Sequence, residues 1–259
     1  MDFRTVEENL RESFRVLASS TPSGEVREAA GVTIASAGVA FQMFNAAFLS
    51  EAVAGEKELD RRINTAKVHF GARGLSWSYW ICEDWLDKKA RRSIAPMCRR
   101  HGLHLATVLP GMLAEQLAPP ARALPVLDVR PVGDKATWSA FCRIGALCFN
   151  VPLEWFQEVF DARRVWDNGF AGYVGYVDGR PVSTAATVIA AGAVGVYNVA
   201  TIPTQQRRGF GEAVMRYALD RAREHHGIQR TVLQSTAQGF DLYRRMGYTP
   251  VTEVAVYSS

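Results

Sequence analysis

Apolar residues recur at helical spacing from the first turn of the chain. Phe3, Val6, Leu10, Phe14 and Leu17 lie three to four positions apart, with acids early and Arg11 and Arg15 late. That pattern predicts an amphipathic helix over 3–17 whose charges suit the helix dipole. Thr21-Pro22-Ser23-Gly24 breaks it. Further along, 32–39 reads as a strand, 56–70 as a helix closed by Gly71 and Gly74, and 75–82 (LSWSYWIC) as an aromatic strand. A second helix is predicted over 87–100 and a strand over 103–109, ended by Pro110-Gly111. The stretch QLAPPARALP at 116–125 holds three prolines and no apolar period, so it predicts a linker. The chain is therefore divided into 1–120, a linker at 121–125, and 126–259.

Beyond the linker the period alternates between strand and helix. A short strand is predicted over 127–130. Asp134 is a good N-cap for a helix over 135–148, and Pro152 suits the start of another running to about 165. Strands over 172–177 and 182–190 flank an Asp178-Gly179 turn, and Gly192 turns the chain into a third strand over 194–202. A helix over 211–224 carries one apolar stripe, Val214, Met215, Ala218, Leu219 and Ala222. A strand over 230–235, a short helix over 239–246 and a strand over 250–257 complete the pattern. This order predicts an α/β (α+β) fold: an open mixed sheet with helices on its faces.

Composition narrows the function. The chain has 259 residues, 48% apolar and 22% charged, which excludes disorder and collagen-like repeats and allows a large core. The net charge of +4 is spread evenly, 16 basic against 14 acidic residues in 1–122 and 14 against 12 in 123–259. No half is a polycation, so nucleic acid is not an expected partner. Residues 29–50 carry no charge, but Thr33, Ser36, Gln42, Asn45 and Ser50 dilute the run. It predicts a buried strand followed by a helix or second strand, and no membrane partner. Cys82, Cys98, Cys142 and Cys148 form no CxxC pair and have no histidines at ligand spacing, so no metal site is expected. They read as buried thiols in a reducing compartment; Cys142 and Cys148 share a helix without a nearby histidine, which favours a structural role. The N-terminus shows no basic region leading into an apolar run, and a cytoplasmic location is expected.

The candidate chemistry lies in 197–212, YNVATIPTQQRRGFGE. A strand ends near Pro203, a loop holds Gln206-Arg207-Arg208-Gly209-Phe210-Gly211, and a helix follows directly. Glycines let a backbone approach a ligand, and free amides at a helix N-terminus attract a pyrophosphate. The dinucleotide pattern GxGxxG fails because Val214 stands at its third glycine, and the P-loop fails for lack of Gly-Lys-Ser/Thr. The loop, Gln/Arg-x-x-Gly-x-Gly/Ala, instead resembles the acetyl-CoA loop of the GCN5-related N-acetyltransferases, the GNAT superfamily. A second part of the resemblance lies in Leu242-Tyr243 and Gly247-Tyr248, at the family's Leu-Tyr-x-x-x-Gly-Phe/Tyr, and a third in Val199-Ala200-Thr201 with Pro203 on its fourth strand. The resemblance covers about 126–259.

The resemblance implies a mostly antiparallel sheet flanked by helices, whose fourth and fifth strands splay around acetyl-CoA, the acyl donor. It places Val199, Ala200 and Thr201 along the pantetheine arm and Gln206, Arg207, Arg208, Gly209, Phe210, Gly211 and Glu212 around the pyrophosphate. Ser235 and Gly239 fall at the splay after the fifth strand, and Tyr243 falls where the family places the acid that protonates the leaving thiolate. Two departures stand out. Ser235-Thr236 replaces an asparagine common at the splay, and Val196, Tyr197 and Asn198 offer no carboxylate where many relatives carry a glutamate base. Water, Glu154, Glu158 or a substrate amine already neutral remain open for that role. Acceptor contacts are expected from Glu154, Trp155 and Glu158 with Tyr197 and Asn198, which suits a modest, partly apolar amine; Trp155 and Phe156 read equally well as core. In 1–120, Gly71-Ala72-Arg73-Gly74 precedes a strand and cannot form the cradle, so this half reads as a degenerate copy of the same fold or an accessory α/β domain. Trp77 and Tyr79 fall on one strand face and Trp80 on the other, for an interdomain core or the acceptor site. The function implied is N-acyl transfer from acetyl-CoA or another short acyl-CoA to a small-molecule amine; a homodimer is left open as a partner. The alternatives are a non-catalytic acyl-CoA-binding module and a protein lysine or N-terminal acetyltransferase.

Overall fold

The computed structural model describes residues 2–161 and 163–259. The first half runs α1 (Asp2–Ser20), β1 (Glu25–Ala29), β2 (Val32–Ser36), β3 (Asn45–Leu49), α2 (Glu56–Gly71), β4 (Ser78–Cys82), α3 (Lys88–Arg100) and β5 (His104–Ala114). The second runs β6 (Asp128–Pro131), α4 (Lys135–Phe149), α5 (Leu153–Asp161), α6 (Arg163–Asp167), β7 (Phe170–Val177), β8 (Arg180–Ala190), β9 (Ala193–Thr201), α7 (Phe210–His226), β10 (Thr231–Gln234), α8 (Phe240–Arg245) and β11 (Thr249–Ser258). Asp134 caps α4 as expected: its carboxylate accepts from Thr137 N at 2.8 Å, and the Thr137 hydroxyl reaches back to Asp134 N at 3.2 Å. The uncharged run at 29–50 resolves into two fully buried strands, β2 and β3, joined by one short turn. β1 has no apolar alternation, only a polar edge pattern, and hydropathy alone gives no sign of it.

All strands join one 11-stranded sheet in the order β1-β2-β3-β4-β11-β5-β10-β9-β8-β7-β6. With β6 set aside, the order is symmetric about the central antiparallel pair β5–β11. On each side the next contact outward is antiparallel, β4–β11 and β10–β5, and the one beyond is parallel, β3–β4 and β9–β10. The halves have exchanged their last strands: β5 pairs with β10 of the second half, and β11 pairs with β4 of the first. The linker region therefore separates the halves in sequence, while the ladder joins them in space.

This exchange corrects one expectation. Pro110-Gly111 does not end β5, which continues to Ala114. The ladder tolerates the proline because the pairing with β11 is irregular there, between Pro250 and Thr252. Gly111 is needed because α1 crosses directly above: a Cβ would lie 2.9 Å from Val6 Cγ1 and 2.5 Å from Thr252 Cγ2.

Helices cover both faces. On one, α1 crosses the centre of the sheet and meets α4–α6 through Val16, Leu17, Phe141, Phe156 and Phe160. On the other, α2 and α3 cover the first half, and the α7 stripe buries Val214, Met215, Ala218 and Leu219 against Met112, Val194 and Leu233. Burying such side chains is worth roughly 1.5–3 kcal/mol each. Among the described residues no helix is long and apolar enough to cross a membrane.

Candidate active site

The site forms where β9 and β10 part. They pair only at Val194–Thr231 and Gly195–Val232, so β9 continues to Thr201 with its β10-facing edge unpaired. A bulge opens this stretch: between the pairs Ala186–Tyr197 and Thr184–Ala200, β9 holds one residue more than β8. Asn198 sits in the bulge with φ of 51°, and its carbonyl accepts from Thr184 Oγ1 at 2.9 Å. The β10-facing edge of Val199–Thr201 is thereby left without a strand partner, although Ala200 O accepts from Ser183 Oγ at 2.7 Å and Thr201 O from Gln206 Nε2 at 3.2 Å.

Beyond Thr201 a single tight turn over Pro203–Gln205 leads into the glycine loop. Arg207 and Gly209 both have left-handed backbone, at φ of 60° and 87°. Gly209 tolerates this at no cost; Arg207 does not, and a strained non-glycine residue is a common mark of a functional loop. Among the described residues, none of the amides from Arg207 to Glu212 donates to a protein acceptor, and α7 has no side-chain cap. The result is a row of free N–H groups at the positive end of a 17-residue helix. Gly211 keeps the wall low, since a Cβ would lie 3.1 Å from Thr201 Oγ1. The loop and the β9 edge line a cavity of about 780 Å3. This donor set suits the pyrophosphate and pantetheine of an acyl-CoA.

Most of the residues singled out from the sequence meet here. Val199, Ala200, Thr201, Gln206, Arg207, Gly209, Phe210, Gly211, Glu212, Gly239 and Tyr243 all line this cavity. Arg208 does not: it is exposed, bonds Gln205 and lies over the Phe210 ring at 5.0 Å. Ser235 does not either; it is fully buried, with its hydroxyl turned to Thr236 O at 2.8 Å. Glu212 is tied to Arg216 at 2.9 Å. Two arginines absent from the sequence-based set also line the cavity, Arg122 from the linker and Arg245 from α8. Arg245 lies within the segment that carries the Leu-Tyr motif, but nothing in the linker's proline-rich composition marks Arg122. Its guanidinium reaches the Arg207 carbonyl at 3.5 Å because the linker passes over the loop.

A second cavity, about 570 Å3, adjoins the first and shares Val199–Thr201, Gln206, Thr236 and Tyr243 with it. Tyr243 stands at the junction. Its ring packs edge-on to Tyr248 at 5.9 Å and above Gly239, where a Cβ would lie 2.7 Å from the ring. Burial pushes its phenol up to about 12. Its hydroxyl makes no hydrogen bond to the described residues.

The second cavity is walled by both halves. Leu10, Phe14 and Leu17 come from α1, Phe44 from the turn before β3, and Trp80 from β4; Phe156 and Phe160 face them from α5. Tyr197 and Asn198 line it as well, with the Tyr197 hydroxyl fixed by Asn9 Oδ1 at 2.7 Å and its pKa raised by burial. Trp80 reaches the cavity, whereas Trp77 and Tyr79 lie in the core under α2 and α3. The structure does not bring Glu154, Trp155 or Glu158 to either cavity: both carboxylates face solvent and Trp155 stacks near Phe41 at 5.5 Å. The α5 stripe that faces inward is Phe156, Val159 and Phe160, and helical geometry turns 154 and 158 the other way. No disulfide joins the four cysteines; Cys148 alone lines the cavity, its Sγ donating to Thr201 O at 3.4 Å and its pKa raised by burial. No group of acidic, histidine and cysteine side chains among the described residues could hold a metal.

Residues 138–248 match the model of the acetyltransferase (GNAT) family. No curated protein matches the chain. Among solved structures, a GCN5-related N-acetyltransferase from Kribbella flavida is 20% identical with a TM-score of 0.73, over 96% of this chain and 94% of that one. A GCN5-related N-acetyltransferase from Sphaerobacter thermophilus is 14% identical at 0.60, over 92% and 78%. A tandem GNAT protein from the clavulanic acid biosynthesis pathway is 9% identical at 0.52, over 100% and 95%. At these identities the likeness is one of fold, and it extends over both halves.

Proposed function

We propose that this chain, whose residues 138–248 match the GNAT family model, is an N-acyltransferase that moves an acetyl or other short acyl group from acyl-CoA to a small-molecule amine. The observation that carries the reading is the row of unpartnered amides from Arg207 to Glu212, opening on a cavity that runs along the free edge of Val199–Thr201 to Tyr243. Acyl-CoA supplies an activated thioester: the amine nitrogen forms the new N–C bond and the C–S bond breaks. The amides hold the pyrophosphate and Arg122, Arg207 and Arg245 add positive charge around it. The β9 edge aligns the pantetheine as an added strand, which fixes the carbonyl near Tyr243. Tyr243 keeps its proton at neutral pH because burial disfavours the phenolate. It gives that proton to the departing sulfur, and the extra proton on nitrogen returns to the phenolate or leaves to water, so charge balances.

A non-catalytic acyl-CoA-binding module is the second reading, favoured by one observation: no carboxylate or histidine among the described residues lines the second cavity. Two measurements on the purified chain decide between them. Calorimetric titration with acetyl-CoA is expected to saturate at one per chain, and free CoA thiol is expected to appear when an amine is added. Binding without thiol release across an amine panel favours the module; no binding removes both readings.

A further inference from the structure

We infer that the second cavity selects an acceptor that is apolar, aromatic and uncharged at neutral pH: a weakly basic aryl amine rather than an alkylammonium or a lysine side chain. The inference rests on the acyl-transfer reading above and adds the substrate class.

Charge comes first. Among the described residues the lining contains no Asp, Glu, Lys, Arg or His. An alkyl amine has a pKa near ~10 and enters such a space as a cation. Removing that cation from water without a counter-charge is strongly unfavourable. It would then also have to lose a proton before its nitrogen could attack, and no base is present to take it. An aryl amine meets neither barrier, since its lone pair is already free at pH 7.

Shape gives the second argument. Phe14, Phe44, Trp80, Phe156, Phe160 and Phe170 surround the space, and aromatic walls favour a flat apolar guest through edge and face contacts. Tyr197 adds a ring at the floor, but its hydroxyl is already committed to Asn9, so it offers the guest apolar surface and no charge. Uncharged polar groups also line it, among them Asn198, Gln206 and Gln238. The side-chain nitrogen of Gln234 is buried without a partner and its residue lines the cavity, so a single hydrogen-bonding substituent on the ring has a place to go.

The third argument separates an acceptor from a long acyl chain, which also prefers apolar walls. A chain tethered to CoA arrives through the first cavity and needs no other entrance. The second cavity has its own: Met43 and Phe149 line it and stand 42% and 38% exposed. A separate mouth suits a molecule that enters independently and meets the thioester at Tyr243.

The test uses the full chain with CoA bound and measures binding before turnover. The probes are toluidine, its neutral ring-hydroxylated analogue, and benzyltrimethylammonium, which matches them in ring size but is always charged. The neutral amines are expected to bind at least tenfold more tightly than the cation. Equal or tighter binding of the cation overturns the inference, as does octanoyl-CoA binding tenfold more tightly than acetyl-CoA while competing with toluidine. Turnover is read next with acetyl-CoA: thiol release is expected to favour toluidine over benzylamine at pH 7, with the gap narrowing at pH 9.5 as benzylamine loses its charge. A preference for benzylamine at pH 7 overturns the inference. Toluidine binding without turnover of any amine leaves the cavity assignment standing and removes the acyl-transfer reading. Met43→Glu at the mouth, where a misfolding penalty is small, is expected to shift the binding ratio toward the cation; an unchanged ratio places the guest elsewhere and overturns the inference.

Discussion

The two halves contain the same junction in two chemical states. In the second half, β9 leads through Gln206–Gly209 into α7; in the first, β3 leads through 50–55 into α2. Both loops end on a glycine of positive φ, Gly209 at 87° and Gly55 at 97°, but ψ is 1° at the first and 176° at the second. From Arg207 onward the amides of the second-half loop have no acceptor among the described residues. In the first, Ser50 N donates to Gly31 O at 3.0 Å, Val53 N to Trp85 O at 2.7 Å, and Ala54 N to the Glu58 carboxylate at 2.8 Å, while the amides of Gly55–Glu58 at the start of α2 have no acceptor among the described residues. Carbonyls of this loop are satisfied, since the buried Arg62 guanidinium donates to Glu51 O at 2.7 Å and Ala52 O at 3.0 Å. Glu51, Glu56 and Glu58 crowd the first junction where Arg207 and Arg208 stand at the second. A shared place in the topology is therefore not enough to make an anion site. Both helix starts keep vacant amides; the sign of nearby charge separates them, and the first half carries its own anion in Glu58.

The largest way to break this comparison is to separate the halves. A fragment of 126–259 lacks β5, which fills the space between β10 and β11. It is expected to aggregate or to lose acetyl-CoA binding altogether, because both strands gain an open edge and α1 no longer covers the sheet. A monomeric fragment with the affinity of the full chain, by gel filtration and calorimetry, shows that strand exchange is dispensable. Tyr243→Phe comes next: kcat is expected to fall on the order of 10²-fold with the KM for acetyl-CoA nearly unchanged, as for loss of a general acid. A kcat within a factor of two of the parent makes Tyr243 structural. On the parent, Tyr243 ionisation is not expected to lower kcat near pH 10, since its pKa is raised to about 12.

Gly209→Val is expected to weaken CoA binding by more than tenfold. A branched side chain is strained at this φ, and its Cβ would already lie 3.1 Å from Pro125 in the linker. The smallest effect belongs to the first junction. Glu58→Gln is expected to leave stoichiometry at one CoA per chain, because Glu51 and Glu56 still stand at the junction and Arg62 stays bound to the loop carbonyls. It should change stability with pH instead. The Ala54 amide, then Arg62, hold the Glu58 carboxyl below its usual range. A lowered pKa adds stability above the unfolded value of ~4.3, and that stability is lost as pH falls through the folded value. The variant's melting temperature should therefore decline less between pH 6 and pH 3. A second bound CoA in Glu58→Gln would mean that one carboxylate alone keeps the first junction closed.

Much of the second half was legible because its signals are local. The α7 stripe, the Asp134 cap and the two glycines each act within a few residues, and each element stands where its pattern places it. The cradle was legible for the same reason, since loop and helix N-terminus are contiguous in sequence. Glu154 and Glu158 were attractive as acids beside aromatic residues, but a helix sorts neighbours by angle, and the inward angle belongs to Phe156 and Phe160.

The sequence by itself determined most of the elements, the glycine loop before α7 and the helix that carries Tyr243, because backbone preference and apolar period are settled over a turn or a strand; β1 and the end of β5 escaped it. Only the tertiary structure decided that β5 and β11 trade sides, that linker residue Arg122 overhangs the cradle, and that Leu10, Phe14 and Trp80 wall the second cavity. Those contacts join residues more than a hundred positions apart. Their energy comes from burying complementary surface, which leaves no mark on either segment until both are folded.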